Sequence, residues 1–346
     1  MKALVYNGPG QKTWTDKANP AIEKPTDAIV RITYTTICGT DLHILKGDVP
    51  AVTPGRTLGH EGVGIIEEVG SAVRNFKKGD HVLISCITSC GSCPNCKRQM
   101  YAHCADGGWI LGHKIDGTQA DFVRIPHADN SLYPIPAGAD EEALVMLSDI
   151  LPTGFEMGVL YGEVGPGDTV AIVGSGPVGL ASLLTAQFFS PSRIIMVDLD
   201  PNRLEVAKKF GATDVVCASG DEAVKQVMAL TPDGIGVDVA IEAVGIPATF
   251  DLCQKILAPG ARLANMGVHG VGVNLELDKL WIRNITIRTG LVNTNTTPML
   301  LKTVQSGRVE PDCLITHRFQ LNQIEEAYRV FANAAQEKTL KVILSA

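Results

Sequence analysis

The chain has little of what would carry it onto a nucleic acid or across a membrane. Lys and Arg together number 30 against 37 Asp and Glu, a formal net charge of −7. That balance argues against polyanionic partners, whether nucleic acid or an acidic membrane surface. No run of about 18 consecutive apolar residues stands in the sequence, so no membrane span is expected. The opening MKALVYNGPGQ has one Lys and no apolar core, which predicts no export and a cytoplasmic setting. Nine cysteines in 346 residues are too sparse for a disulfide scaffold. Internal repeats and low-complexity tracts are absent. What remains is a globular composition, 45 % apolar and rich in Gly, long enough for two domains.

Four of the cysteines are not scattered. Cys90, Cys93, Cys96 and Cys104 are separated by two, two and seven residues. Four thiolates from one short loop satisfy a tetrahedral ion, and a closed set of four leaves no position for substrate. Iron–sulfur runs of the bacterial type place three residues before a final Cys-Pro. Here the last gap is longer and Ala105 follows. A structural Zn²⁺ is expected at this lobe, about residues 86–112.

The rhythm of the chain changes near residue 152. Residues 1–152 hold short β-rich runs (ALVY, AIVRITY, GVGIIEEVG, HVLISC) broken by Gly and Pro, which predicts a barrel-like or sandwich β domain. Residues 153–290 alternate continuous apolar strands with helices, which predicts a parallel sheet covered on both faces. Residues 291–346 carry two helices and a terminal strand that return to the first domain. The fold class is α/β.

Gly174-Ser-Gly176-Pro177-Val178-Gly179 follows the strand TVAIV and opens a helix. A bare GxGxxG is weak, but in this setting it fits a dinucleotide pyrophosphate on a helix N-terminus. Asp198 ends the next strand, where a carboxylate accepts the adenosine ribose hydroxyls and repels a 2′-phosphate. NAD(H) is therefore expected. Arg203 is placed along the adenosine edge and Val268 among the cofactor contacts. Asp200 is the better N-cap for the helix PNRLEVAKKF.

The ordered set CGTDLH (38–43), GHE (59–61), the Cys₄ lobe and GSGPVG resembles the zinc-dependent medium-chain alcohol dehydrogenases over essentially the whole chain. Leu147-Ser-Asp149-Ile-Leu-Pro-Thr153 also resembles their bacterial secondary-alcohol branch. The resemblance implies a GroES-like catalytic domain beside a Rossmann domain, with Cys38, His60 and Asp149 as ligands of a second, catalytic Zn²⁺. It implies Glu61 as a carboxylate beside the metal and Asp41 as the carboxylate that orients the ligating His. Thr40 resembles the hydroxyl that meets the substrate oxygen, His43 the solvent end of a proton relay, and Lys341 a basic residue reaching the pyrophosphate. Trp109 and Leu291 are candidate pocket walls, with a packed core aromatic the alternative for Trp109. The implied activity is reversible hydride transfer between a primary or secondary alcohol and NAD⁺. A polyol or amino-alcohol dehydrogenase of the same family is the alternative. A homo-oligomer is implied, a tetramer before a dimer.

Overall fold

The computed structural model describes residues 1–346, in two compact units. The first comprises Met1–Asp149 and Asn293–Ala346, the second Ile150–Val292.

In the first unit, β1 (Lys2–Gly8), β2 (Gln11–Asp16), β3 (Ala28–Thr36), β4 (Arg56–Thr57), β5 (Gly62–Val69), β6 (His81–Ile84), β7 (Phe122–Ile125) and β8 (Leu132–Pro134) are short, as the frequent Gly and Pro dictate. β2, β1 and β4 form a small antiparallel sheet. The larger sheet is built on β3, whose alternating apolar residues Ala28, Val30 and Ile32 are fully buried against Ile66, Val82 and Ile84. One register matters for function. β3 and β5 pair antiparallel with Thr35 opposite Gly62, so the chain leaving β3 at Cys38 runs beside the chain entering β5 from His60.

The second unit contains β9 (Thr169–Val173), β10 (Arg193–Asp198), β11 (Asp214–Cys217), β12 (Val237–Glu242), β13 (Leu257–Asn265) and β14 (Thr286–Thr289). They form one parallel sheet in the order β11-β10-β9-β12-β13-β14. Every residue of β9 is buried, which is why it reads as a continuous apolar run rather than an alternation. The order reverses beside β9, and crevices at such switch points are where doubly wound sheets bind ligands.

The chain then returns to the first unit. β15 (Ile315–Gln320) and β16 (Lys341–Ser345) extend the larger sheet, β16 pairing antiparallel with β3 through Ile343 opposite Thr36. Continued outward, that register brings Lys341 alongside Cys38. The helix Ile324–Ala332 buries Ile324, Ala327, Tyr328 and Phe331, the i, i+3, i+4, i+7 face of an amphipathic helix. That face packs on Ile37, Ile44, Leu58, Val342 and Leu344.

The helical run Glu141–Leu160 is long and apolar enough to cross a membrane by length and composition alone. Its apolarity has another cause, since 83 % of its most apolar window is buried inside the protein. Over Gly154–Leu160 this run widens to i→i+5 bonding, Tyr161 N–H donating to the Glu156 carbonyl, a distortion often found beside functional sites.

Candidate metal and cofactor sites

The lobe cysteines converge: one sulfur from each of Cys90, Cys93, Cys96 and Cys104 lies within 4.8 Å of all the others. The local backbone does this work. Cys93 caps the short helix Pro94–Lys97, and Gln99 takes a left-handed conformation at φ 61° to turn the chain back. Amide N–H groups point at sulfur: Cys93 N–H to Cys90 Sγ (3.4 Å), Cys96 N–H to Cys93 Sγ (3.5 Å) and Cys90 N–H to Cys104 Sγ (3.2 Å). Bonds from Ala105 and Cys96 N–H lower the Cys93 thiol to about 6, whereas burial pushes Cys96 up to about 12. Four sulfurs this close without a disulfide fit a thiophilic cation.

The second cluster is assembled from distant sequence. Cys38, His60, Glu61 and Asp149 each bring a donor atom within 4.8 Å of the others. Cys38 caps the helix Gly39–Lys46, and its sulfur lies 4.0 Å from Asp149 Oδ2. His60 Nε2 is 3.2 Å from the same oxygen. Burial disfavours a charged His60, yet Asp149, Cys38 and Asp41 outweigh it and hold the imidazole well above its ordinary pKa. A pocket that gathers this much negative charge around one buried His is chemically suited to a cation.

Asp41 is fully buried, which raises its carboxyl pKa. Its Oδ2 accepts from Cys38 N–H (2.9 Å) and from Gln119 Nε2 (3.1 Å). Thr40 presents its hydroxyl 3.7 Å from Cys38 Sγ. His43 Nδ1 pairs with Asp48 Oδ2 at 2.8 Å, which leaves Nε2 for a relay. Trp109 stands edge-on to His60, ring centroids 6.4 Å apart, and its ring lies 4.5 Å from that of His113.

Lys341 is buried. Its Nζ is sealed inside the first unit, donating to Glu61 Oε2 and to the Ile37 carbonyl, with side chains 1 % and 2 % exposed for Lys341 and Glu61. Burial also raises the Glu61 carboxyl, against the pull of Lys341, and Glu61 Oε1 has no hydrogen-bond partner.

In the second unit the glycine motif sits between β9 and the helix Pro177–Ala186, with Pro177 and Val178 in its first turn. A Cβ at Gly179 would stand 1.9 Å from the Gly174 carbonyl oxygen, and Gly174 holds φ +107°; neither position admits a side chain. At Gly176 the Arg203 guanidinium, 3.9 Å away, is the nearest group, which leaves that turn open to a ligand. Asp198 Oδ2 accepts from Ser175 N–H (2.6 Å) and Oδ1 from Asp200 N–H (2.9 Å), while Asp200 caps the helix Pro201–Lys209. Val268 follows β13 in an exposed loop, and Leu291 lies at the end of the unit, 38 % exposed. Sequence reasoning missed Asp48, Gln119 and Tyr328. None belongs to a motif, and only folding brings them to the site.

Residues 24–137 match the alcohol dehydrogenase GroES-like domain family and residues 177–306 the zinc-binding dehydrogenase family. An alcohol dehydrogenase of Cupriavidus necator is 38 % identical, over 99 % of this chain and 98 % of that protein. The chain belongs to the zinc-dependent medium-chain alcohol dehydrogenases. The NADP-dependent isopropanol dehydrogenase of Thermoanaerobacter brockii is 34 % identical over the full length of both proteins. The apo form of zinc dependent alcohol dehydrogenase 2 from Streptococcus pneumonia superposes with a TM-score of 0.96 at 60 % identity, covering 100 % of this chain and 98 % of that one. This medium-chain dehydrogenase is accordingly an enzyme of zinc-dependent alcohol oxidoreduction, with a GroES-like catalytic domain, a Rossmann domain and a nicotinamide cofactor.

Proposed function

We propose that this dehydrogenase is NAD(H)-linked, acts on small primary or secondary alcohols, and carries two zinc ions per chain. The first is held by Cys38, His60 and Asp149, the second by the four lobe cysteines. The three-ligand set leaves an open position of the kind a catalytic site needs. Bound there, Zn²⁺ supplies the Lewis acidity that makes an alcohol oxygen easier to deprotonate. The chain's own residues do the rest. Thr40, beside Cys38, offers a hydroxyl to the substrate oxygen. His43, oriented through Nδ1 by Asp48, passes the released proton to water from its half-exposed ring. Trp109 supplies an apolar wall next to His60. Gly174, Gly176 and Gly179 admit the pyrophosphate, and Arg203 lies beside them.

The observation that carries the cofactor reading is the Asp198 carboxylate, fixed through both oxygens at the rim of the glycine turn. A charge anchored there accepts ribose hydroxyls and repels a 2′-phosphate. Asp198→Gly should lower kcat/KM with NAD⁺ about 10-fold or more, the scale of one charged hydrogen bond, and raise it with NADP⁺. An unchanged ratio of the two would remove Asp198 from the ribose site.

A homo-oligomer, tetramer before dimer, belongs to the same reading. It is supported by β14, the edge of the parallel sheet, and by the exposed Leu275, Leu277, Trp281 and Ile282 in the same unit. A cytoplasmic location is supported by nine cysteines, none of which forms a disulfide.

A further inference from the structure

Tyr328 is the largest fully buried side chain of the molecule, and its hydroxyl is committed. It lies 2.8 Å from Gln119 Oε1. Gln119, fully buried, donates from Nε2 to the Thr36 carbonyl (3.0 Å) and to Asp41 Oδ2 (3.1 Å). Both of those partners are acceptors only, so the amide nitrogen must face them and the amide oxygen must face the tyrosine. The tyrosine hydroxyl is then a donor. The chain therefore has one direction: Tyr328 to Gln119, Gln119 to Asp41.

At its end, Asp41 Oδ2 takes two donors, Gln119 Nε2 and Cys38 N–H. Asp41 Oδ1 is buried without a protein partner. His60 uses Nε2 toward Asp149, which leaves Nδ1 as its remaining ring nitrogen. The rotamer of Asp41 is thus set from behind, through the helix that carries Tyr328, with Oδ1 left without a protein hydrogen bond.

We propose that Gln119 and Tyr328 are positioning residues for the catalytic metal site: their hydrogen-bond chain locks Asp41, and Asp41 in turn fixes the ring orientation and tautomer of His60. The inference rests on the reading of Cys38, His60 and Asp149 as metal ligands. It ties the C-terminal helix to a site built from residues 38–149, although neither Tyr328 nor Gln119 hydrogen-bonds to a ligand.

The test uses the zinc-loaded enzyme and follows the transfer of zinc to a chromogenic chelator. Partners that orient a ligating His are worth about 10–100-fold in metal affinity. Tyr328→Phe should release one zinc at least 10-fold faster and leave the second unchanged. Tyr133→Phe, which removes a hydroxyl bonded to the Thr294 carbonyl instead, should match the wild type. Gln119→Met should reproduce the acceleration, and the double variant should be no faster than Gln119→Met alone, because both changes cut one chain. The cobalt-substituted Tyr328→Phe enzyme should show a shifted ligand-field spectrum, which a loss of stability alone does not produce. Zinc release and spectrum at wild-type values in Tyr328→Phe would overturn the proposal, as would multiplicative effects in the double variant. If Gln119→Met does not fold, Tyr328→Phe against Tyr133→Phe decides. Cys38→Ser separates the two layers. If it retains as much zinc as the wild type, the metal-site reading fails and the positioning role with it. One zinc lost from Cys38→Ser beside wild-type release in Tyr328→Phe sinks the positioning role alone.

Discussion

The two cation-ready clusters lie in the same unit and are built by opposite means. The lobe takes its four sulfurs from one stretch of chain, and backbone N–H groups do the orienting. The Cys38 cluster spans 111 positions of sequence, and side chains do the orienting: Asp41 behind His60, Lys341 against Glu61, Gln119 and Tyr328 behind Asp41. The lobe offers four identical donors and nothing else. The second cluster offers a thiol, an imidazole and two carboxylates, with a threonine hydroxyl and a tryptophan ring alongside. A closed homogeneous set holds a metal for the fold, and a mixed set with spare groups can do chemistry.

The largest effect should come from setting the two clusters against each other. Cys38→Ser should reduce turnover by about 10³-fold or more, because a Lewis acid is worth several kcal/mol at the transition state. Metal analysis should then find one zinc per chain, against two expected for the wild type. Cys104→Ser should also lose one zinc, yet keep turnover per folded molecule within a few-fold. Its loss should appear in the unfolding midpoint, lower by on the order of 10 °C for a few kcal/mol of metal-linked stability. Equal loss of turnover in both variants, with both folded, would abolish the distinction.

The contrast also explains what the sequence makes legible. The lobe can be read from spacing because its geometry is local. The parallel sheet can be read because strands such as TVAIV are apolar throughout, and the glycine turn because Gly174 and Gly179 occupy places no side chain can enter. Cys38, His60 and Asp149 are individually ordinary, and only resemblance to a family picks them out. What unites them is strand register: Thr35 opposite Gly62, Ile343 opposite Thr36. No local pattern encodes that pairing. Lys341 is the sharpest case. A lysine opening the apolar run KVIL looks like a charge left at the surface, and only the placing of β16 beside β3 drives it inside. Tyr328 is legible as a core position from the helical period, but its hydroxyl partner, Gln119, is 209 positions away.

A smaller effect sharpens the side-chain half of the comparison. Lys341→Met leaves the Glu61 carboxylate buried without its cation, and breaking a buried pair from one side destabilises by about 3–5 kcal/mol. Urea unfolding of the zinc-loaded protein measures it. Lys341→Met combined with Glu61→Gln should recover most of that loss, since the uncompensated charge is gone. A double variant as unstable as the single one would mean that Lys341 acts by packing its stem rather than by its charge.

The smallest effect concerns the backbone half. In chelator-treated protein the lobe thiols should differ in reactivity, although they share one loop. Amide N–H bonds from Ala105 and Cys96 lower Cys93 to about 6, and burial raises Cys96 to about 12. The thiolate is the nucleophile, so at pH 7 brief iodoacetamide treatment should alkylate Cys93 well before Cys96, as peptide mass spectrometry would read. Added Zn²⁺ should protect both. Comparable labelling of the two would show that the lobe backbone does not hold its sulfur-directed geometry without metal. The orienting role assigned to the backbone would then pass to the ion itself, and the lobe would be folded by its zinc rather than prepared for it.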